Sequence, residues 1–339
     1  MSITGDGFGS VRSRKAGWWG AAALVAMLTG CTPTAEPAPT PAASEPTATA
    51  TATAPSPSPS PSPSPSPSDA VLSGVSIGCD DLLASGDLAE VTGAAEAQEP
   101  VELWHVGFEA AGGVDCAFSS STVTGRILAL PAERAAALSD GAPECEQVYD
   151  TVECTATTVV DGLWVAVLLD LVEDPGGVPD VLGELLSAAA ASVSEADRVA
   201  PVATDWSAET CDALGQVVRP ARLLDSDEVS TSRIEEGPGA FDRRVAVDLD
   251  LVRQCDWSEL EDFREIGVLI APAGADAWDR EADRVGGSSV QIGDAAAREL
   301  RTDAFTTLLI QSEGELIQVS GRGIPAEAVR EAGSAVLTR

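Results

Sequence analysis

The chain of 339 residues holds one histidine, one tyrosine and one lysine. Each shortage removes a class of chemistry. The lysine is Lys15, close to the N-terminus. A chain cut after residue 30 has no lysine at all, so Schiff-base, phosphate-loop and Ser–Lys mechanisms have nothing to use. The histidine is His105, in Val101-Glu102-Leu103-Trp104-His105-Val106, whose alternation predicts a strand. A thiol nucleophile needs a general base, and one histidine with no free thiol beside it does not supply the pair. Positive charge is scarce too: 20 Lys+Arg stand against 54 Asp+Glu, a formal net charge of −34. That sign argues against a protein that tracks nucleic-acid phosphates and against one held on anionic lipid by a basic patch. There is no Gly-x-Ser-x-Gly, phosphate loop, dinucleotide fingerprint or zinc spacing. Asp248-Leu249-Asp250 and Asp225-Ser226-Asp227-Glu228 could offer oxygens to Ca²⁺, but the EF-hand glycine and Glu spacing are missing. They read as a solvated strand face and a solvated loop. Paired carboxylates for glycoside hydrolysis carry no weight in a chain this acidic. No catalytic, cofactor-binding or metal-ligating residue is assigned, and the expectation is a protein that is not an enzyme.

What is present begins at the N-terminus. Arg12, Arg14 and Lys15 precede an apolar run through Trp18, Trp19, Leu24, Val25 and Leu28. The run is about 15 residues long, short of the roughly 20 that a spanning helix needs, so it reads as a secretion signal. It ends in Leu28-Thr29-Gly30-Cys31, which resembles the bacterial lipobox. That resemblance implies cleavage before Cys31 and acylation of its thiol, with palmitate among the chains. The expected address is the extracytoplasmic face of the cell membrane, held through the Cys31 anchor. Residues 1–30 carry a net +2 (Arg12, Arg14 and Lys15 against Asp6), so their loss takes the charge from −34 to −36. Residues 31–69 then form a tether. Between Thr32 and Asp69 the chain is Thr, Ala, Pro, Ser and two Glu, with strict Ser-Pro alternation from Pro55 to Ser68. Such a segment buries no core and favours extended polyproline II, reaching about 120 Å at roughly 3.1 Å per residue.

Six cysteines remain, and an even number in an exported chain implies disulfides. An internal repeat narrows the fifteen connectivities. Cys79-Asp80-Asp81-Leu82 reappears as Cys211-Asp212-Ala213-Leu214, and Cys116-Ala117-Phe118 as Cys255-Asp256-Trp257. Ile127-Leu128-Ala129-Leu130-Pro131 is echoed by Val268-Leu269-Ile270-Ala271-Pro272, and Gly177-Val178-Pro179 by Gly323-Ile324-Pro325. The repeat pairs Cys79 with Cys116 and Cys211 with Cys255, which leaves Cys145 with Cys154. Residues 70–198 and 199–339 are then two related α+β domains, each a mainly antiparallel sheet with helices near both ends.

The patterns place helices over 80–92 (as two pieces, with Asp87 and Glu90 as cap and N3), 131–138, from Pro179, 207–217, 274–285 and 325–337. They place strands over 101–107, 113–119, 124–130, 152–159, 162–170, 245–258, 266–271, 303–311 and 314–320. Charge is uneven. Residues 70–198 hold 23 acids against Arg126, Arg134 and Arg198, whereas 199–339 hold 27 acids and 14 Arg.

Taken with the lipobox and tether, the Cys-x-x-Leu and Cys-x-Trp signatures (Cys211, Leu214, Cys255 and Trp257, more loosely Cys79, Leu82, Cys116 and Phe118) resemble actinobacterial cell-envelope lipoproteins of unknown function. Phe118 departs from the usual Trp, and Cys145 and Cys154 lie outside the pattern. The resemblance implies an anchored envelope protein and supplies no catalytic residues. The expected role is a non-enzymatic binding or sensor-like module whose partner is an envelope protein or a small ligand. The alternatives are an assembly role or, less in keeping with the motifs, a polysaccharide hydrolase.

Overall fold

The computed structural model describes residues 73–339, apart from 94, 99–102, 121–123, 139–140, 149–150, 172–177, 203–205, 207–208, 233–240 and 274–275. The signal segment, the lipobox (Leu28, Thr29, Gly30), Cys31 and the tether lie outside the described residues.

The first half opens with β1 (Gly74–Ser76) and two short helices, α1 (Cys79–Leu83) and α2 (Gly86–Thr92). Then come β2 (Glu96–Ala97), α3 (Trp104–Ala110), β3 (Val114–Ser119) and β4 (Thr124–Pro131). β5 (Glu144–Val148), β6 (Thr151–Val160) and β7 (Leu163–Leu171) complete an antiparallel sheet ordered β2-β3-β4-β7-β6-β5. α4 (Val178–Glu195) follows, and β8 (Asp197–Val199) turns back to pair with β1.

The second half runs α5 (Cys211–Val218), α6 (Pro220–Leu223), β9 (Ser230–Ser232), α7 (Phe241–Asp248), β10 (Arg253–Glu259) and β11 (Arg264–Pro272). It continues with α8 (Ala277–Val285), β12 (Ser288–Ile292), β13 (Ala295–Arg301), β14 (Phe305–Ser312), β15 (Glu315–Arg322) and α9 (Ala326–Leu337). Its antiparallel sheet is ordered β12-β13-β14-β15-β11-β10-β9. Read from the β9 edge, β9-β10-β11-β15-β14-β13 stand in the order of β2-β3-β4-β7-β6-β5. The fold is α+β and carries three disulfides.

The central strands explain the layering. β4 buries Ile127 and Ala129 on one face and Leu128 and Leu130 on the other. β7 and β11 are also buried on both faces. Strands covered on both sides read as continuous apolar runs. On one side of the first sheet, Ile127, Val165 and Val167 pack against Leu82 of α1, Leu88 of α2 and Leu182 and Leu185 of α4. On one side of the second, Val268, Ile270 and Ile317 meet Leu214 of α5 and Val329 and Ala332 of α9. The remaining two faces share a third core. Leu128, Trp164 and Leu168 of the first sheet join Leu269, Leu309 and Leu316 of the second, together with Trp104 and Phe108 of α3 and Val245 of α7.

Cys79–Cys116 ties the start of α1 to β3, and Cys211–Cys255 ties α5 to β10, with Cα separations of 5.2 and 5.4 Å. Phe118 and Trp257 stand two residues beyond the sheet cysteines and share their buried faces. Cys145 and Cys154 are direct cross-strand partners in the β5–β6 ladder.

Four expectations differ from the structure. The strand over 101–107 is the helix α3, with 101 and 102 outside the described residues. Trp104 to Phe108 are all buried and Glu109 is the one exposed residue of α3, too little polar face to impose a 3.6-residue period. The strand over 245–258 is the last turn of α7, a turn at Asp250 (φ +50°), and then β10. The helix over 131–138 is a series of turns after β4. Ser85, not Asp87, holds the N-cap position of α2. The strands β5, β12 and β13 were not anticipated, because their exposed polar residues hide the alternation.

Gly107 of α3 lies at a close approach of the halves. A Cβ there would lie 2.5 Å from Val252 Cγ1 and 2.6 Å from the Leu251 carbonyl oxygen. Gly107→Ala should gain about 1 kcal/mol in helix propensity. The overlap with backbone should outweigh it, for a net loss of about 1–3 kcal/mol in urea unfolding.

Candidate functional site

A cleft of about 570 Å³ opens where the halves meet, beside the β1–β8 ribbon. Val75 of β1, Val114 of β3 and Val199 of β8 give it an apolar wall, and Val106 of α3 adds to it. Its polar side is built from α3, β3, β4 and α8, so both halves contribute.

Glu281 of α8 is the centre of the first charged group. Its side chain is 1% exposed. Its Oε1 accepts from His105 Nε2 at 2.8 Å and from Arg280 Nε at 3.3 Å, and its Oε2 accepts from Arg284 Nε at 2.6 Å. Helical spacing dictates part of this: Arg284 lies one turn beyond Glu281 on the same face. Arg280 also reaches across the seam through Nη2 to Glu109 Oε2. Burial opposes ionisation of Glu281, but the hydrogen bond and charge of His105, followed by those of Arg284, outweigh it and hold the carboxyl at about 2.

Arg126 is the centre of the second group. It lies on the face of the first sheet that looks toward the shared core, on the same side as Asp115. Arg126 Nη1 donates to Asp115 Oδ1 and Oδ2 at 2.9 and 3.0 Å, and lies 2.6 Å from Asp242 Oδ2 of α7. Asp242 Oδ1 is buried without a hydrogen-bond partner among the described residues. Burial pushes Asp115 up to about 6. Arg126 opposes that rise, and the charge of Asp242 adds to it. Burial likewise raises Glu109, Asp170 and Asp242 above the ordinary carboxylate range, with Arg280 pulling Glu109 back and Arg126 the two aspartates. One guanidinium thus serves several carboxyls in a poorly hydrated place.

Of the residues singled out in the sequence, His105 stands in the cleft, as does Cys79 through its disulfide end. Asp248 and Asp250 do not: Asp250 pairs with Arg253 at 2.9 Å. In the Asp225–Glu228 loop, Ser226 Oγ accepts from the Glu228 backbone at 3.1 Å. Among the described residues no group of three His, Cys, Asp or Glu could hold a metal ion. Sequence reasoning missed Asp115, Arg126, Asp242, Arg280, Glu281 and Arg284. A signal existed for two of them. Asp115 and Arg126 interrupt apolar strands, and Arg126 is one of three arginines in its half.

No family model matches the chain, and no curated protein matches it. Among solved structures it shows a likeness to the di-domain ARO/CYC StfQ from the steffimycin biosynthetic pathway. That likeness has 8% identity and a TM-score of 0.14, covering 72% of this chain and 79% of that one, and it carries no argument.

The two groups should give opposite pH dependences. Glu281 is held at about 2 against an ordinary 4.5, so its contribution is present above pH 4.5 and lost as pH falls through about 2. Asp115 is raised from 3.8 to about 6, so its contribution is present below pH 3.8 and lost as pH rises through about 6. In urea titrations, Glu281→Gln should cost about 3 kcal/mol at pH 7 and much less at pH 2. Asp115→Asn should flatten the stability change between pH 4 and 6.

Proposed function

We propose that the chain is a lipoprotein anchored through Cys31 at the extracytoplasmic face of the cell membrane, and a non-enzymatic binding module of the envelope. We further propose that its halves are copies of one domain. The matching strand orders and the matching disulfides from first helix to sheet support the second proposal. The lipobox, tether and paired signatures, which resemble those of actinobacterial envelope lipoproteins, support the first.

One observation carries the binding reading: the cleft at the seam. It is concave, of ligand size and lined from both halves. Its charged groups are fixed by one another, so the site is organised before any ligand arrives. A second reading, hydrolysis, has one observation in its favour: Glu109 and Asp115, both raised, border the same cleft. Both rest against guanidinium, which suits a fixed scaffold better than a proton donor.

Cys31→Ser should abolish incorporation of labelled palmitate and move the protein out of the membrane fraction. In assays with envelope polysaccharides, the binding reading expects no turnover at any pH. Turnover with an acid limb near 6 that Asp115→Asn removes would establish the hydrolase instead.

A further inference from the structure

The charged side of the cleft is layered. Asp115 and Glu281 are each 1% exposed and lie at the back. In front of them stand Arg126 at 27% and Arg280 at 45%, together with Glu109 at 45%. The deep carboxylates therefore fix the guanidiniums and are themselves out of a ligand's reach. Arg126 makes its Asp115 and Asp242 contacts through Nη1, so those contacts leave Nε and Nη2 unused. Arg280 uses Nε and Nη2 on Glu281 and Glu109, which leaves Nη1 unused by them. The reachable charges are the guanidiniums of Arg126 and Arg280, with a smaller share of Arg284, and the carboxylates of Glu109 and Asp276, beside an apolar wall of Val75, Val106, Val114 and Val199.

This pattern discriminates by charge type. A simple anion would meet the guanidiniums, but it would also feel Asp115, Asp242 and Glu281 behind them and a chain of net charge −34. A simple cation would meet Glu109 but face two arginines. A solute carrying both signs satisfies the front layer without adding net charge to a poorly hydrated site. Guanidinium donors suit a carboxylate, which can accept two parallel bonds.

We infer that the cleft takes an amino-acid zwitterion with apolar side chains, free or as a short peptide: its carboxylate on Arg126 and Arg280, its ammonium on Glu109, its side chains along the valine wall. The inference rests on the binding reading and assigns it a ligand class.

The test is calorimetric titration of the full-length lipoprotein in detergent. The probes are L-leucine, trileucine, 4-methylpentanoate (no ammonium) and 3-methylbutylamine (no carboxylate). At least one zwitterion should bind, with the two single-charge analogues at least tenfold weaker. Whether leucine or trileucine binds separates the free solute from the peptide. Glu109→Gln changes a half-exposed side chain, and circular dichroism checks that its fold is intact. It should weaken the zwitterion at least tenfold without weakening 4-methylpentanoate, whose carboxylate loses a competitor for Arg280. An analogue that binds as tightly as the zwitterion, or an unaffected Glu109→Gln, overturns the assignment. If all four probes fail while a sugar or nucleotide panel binds in a manner blocked by Arg280→Gln, the zwitterion is overturned and the binding reading stands. If no solute binds at all, both fall.

Discussion

The shared core between the two sheets is the constraint on which the rest of the structure depends. A sheet that packs helices on one face only can leave its other face to water. Neither sheet here does so. Leu128, Trp164 and Leu168 on one side, and Leu269, Leu309 and Leu316 on the other, are buried by what the opposite half supplies. Either half alone would expose a broad apolar surface, well beyond what soluble monomers tolerate. The two halves accordingly belong to one compact unit. The duplication proposed for the sequence thus implies a coupled pair rather than beads on a string.

This coupling also explains where the charges sit. A chain with so few cations must place them where an unneutralised carboxylate would cost most. The edge of the shared core is such a place. Arg126 crosses the seam to Asp242, Arg280 crosses it to Glu109, and Glu281 crosses it to His105. The hydrophobic contact brings the halves together, and these directional contacts fix how they are turned against each other. Breaking one would leave its partner charge buried and uncompensated, which costs more than the pair contributes.

Much of this was legible in the chain, and the part that was not has a physical reason. The cysteine landmarks mark the disulfide ties because each belongs to a local motif, with an aromatic two residues beyond the sheet cysteine. The apolar runs at 127–131 and 266–271 show central strands, since burial on both faces removes alternation. α3 was hidden differently, because Val101 to Val106 alternate like a strand. Trp104, His105, Val106 and Phe108 are buried together between two sheets, and a helix with so little polar side has no period to read. The cleft was hidden for another reason. Its residues come from positions 75 to 284, and only the stacking of one half on the other brings them together. Asp115 and Arg126 announce themselves as charges inside apolar strands, yet nothing local says that Asp242 answers Arg126 or that Glu281 answers His105.

The β1–β8 ribbon has a mechanical consequence. Gly74 and Gly112 touch backbone to backbone, and three residue pairs hold β1 against β8. β1 is the first element among the described residues and belongs to a two-stranded ribbon separate from the two large sheets. Val75 and Val199 of that ribbon are part of the apolar wall of the cleft. Parting β1 from β8 would take Val75 out of that wall, so occupancy of the cleft and detachment of the ribbon oppose each other.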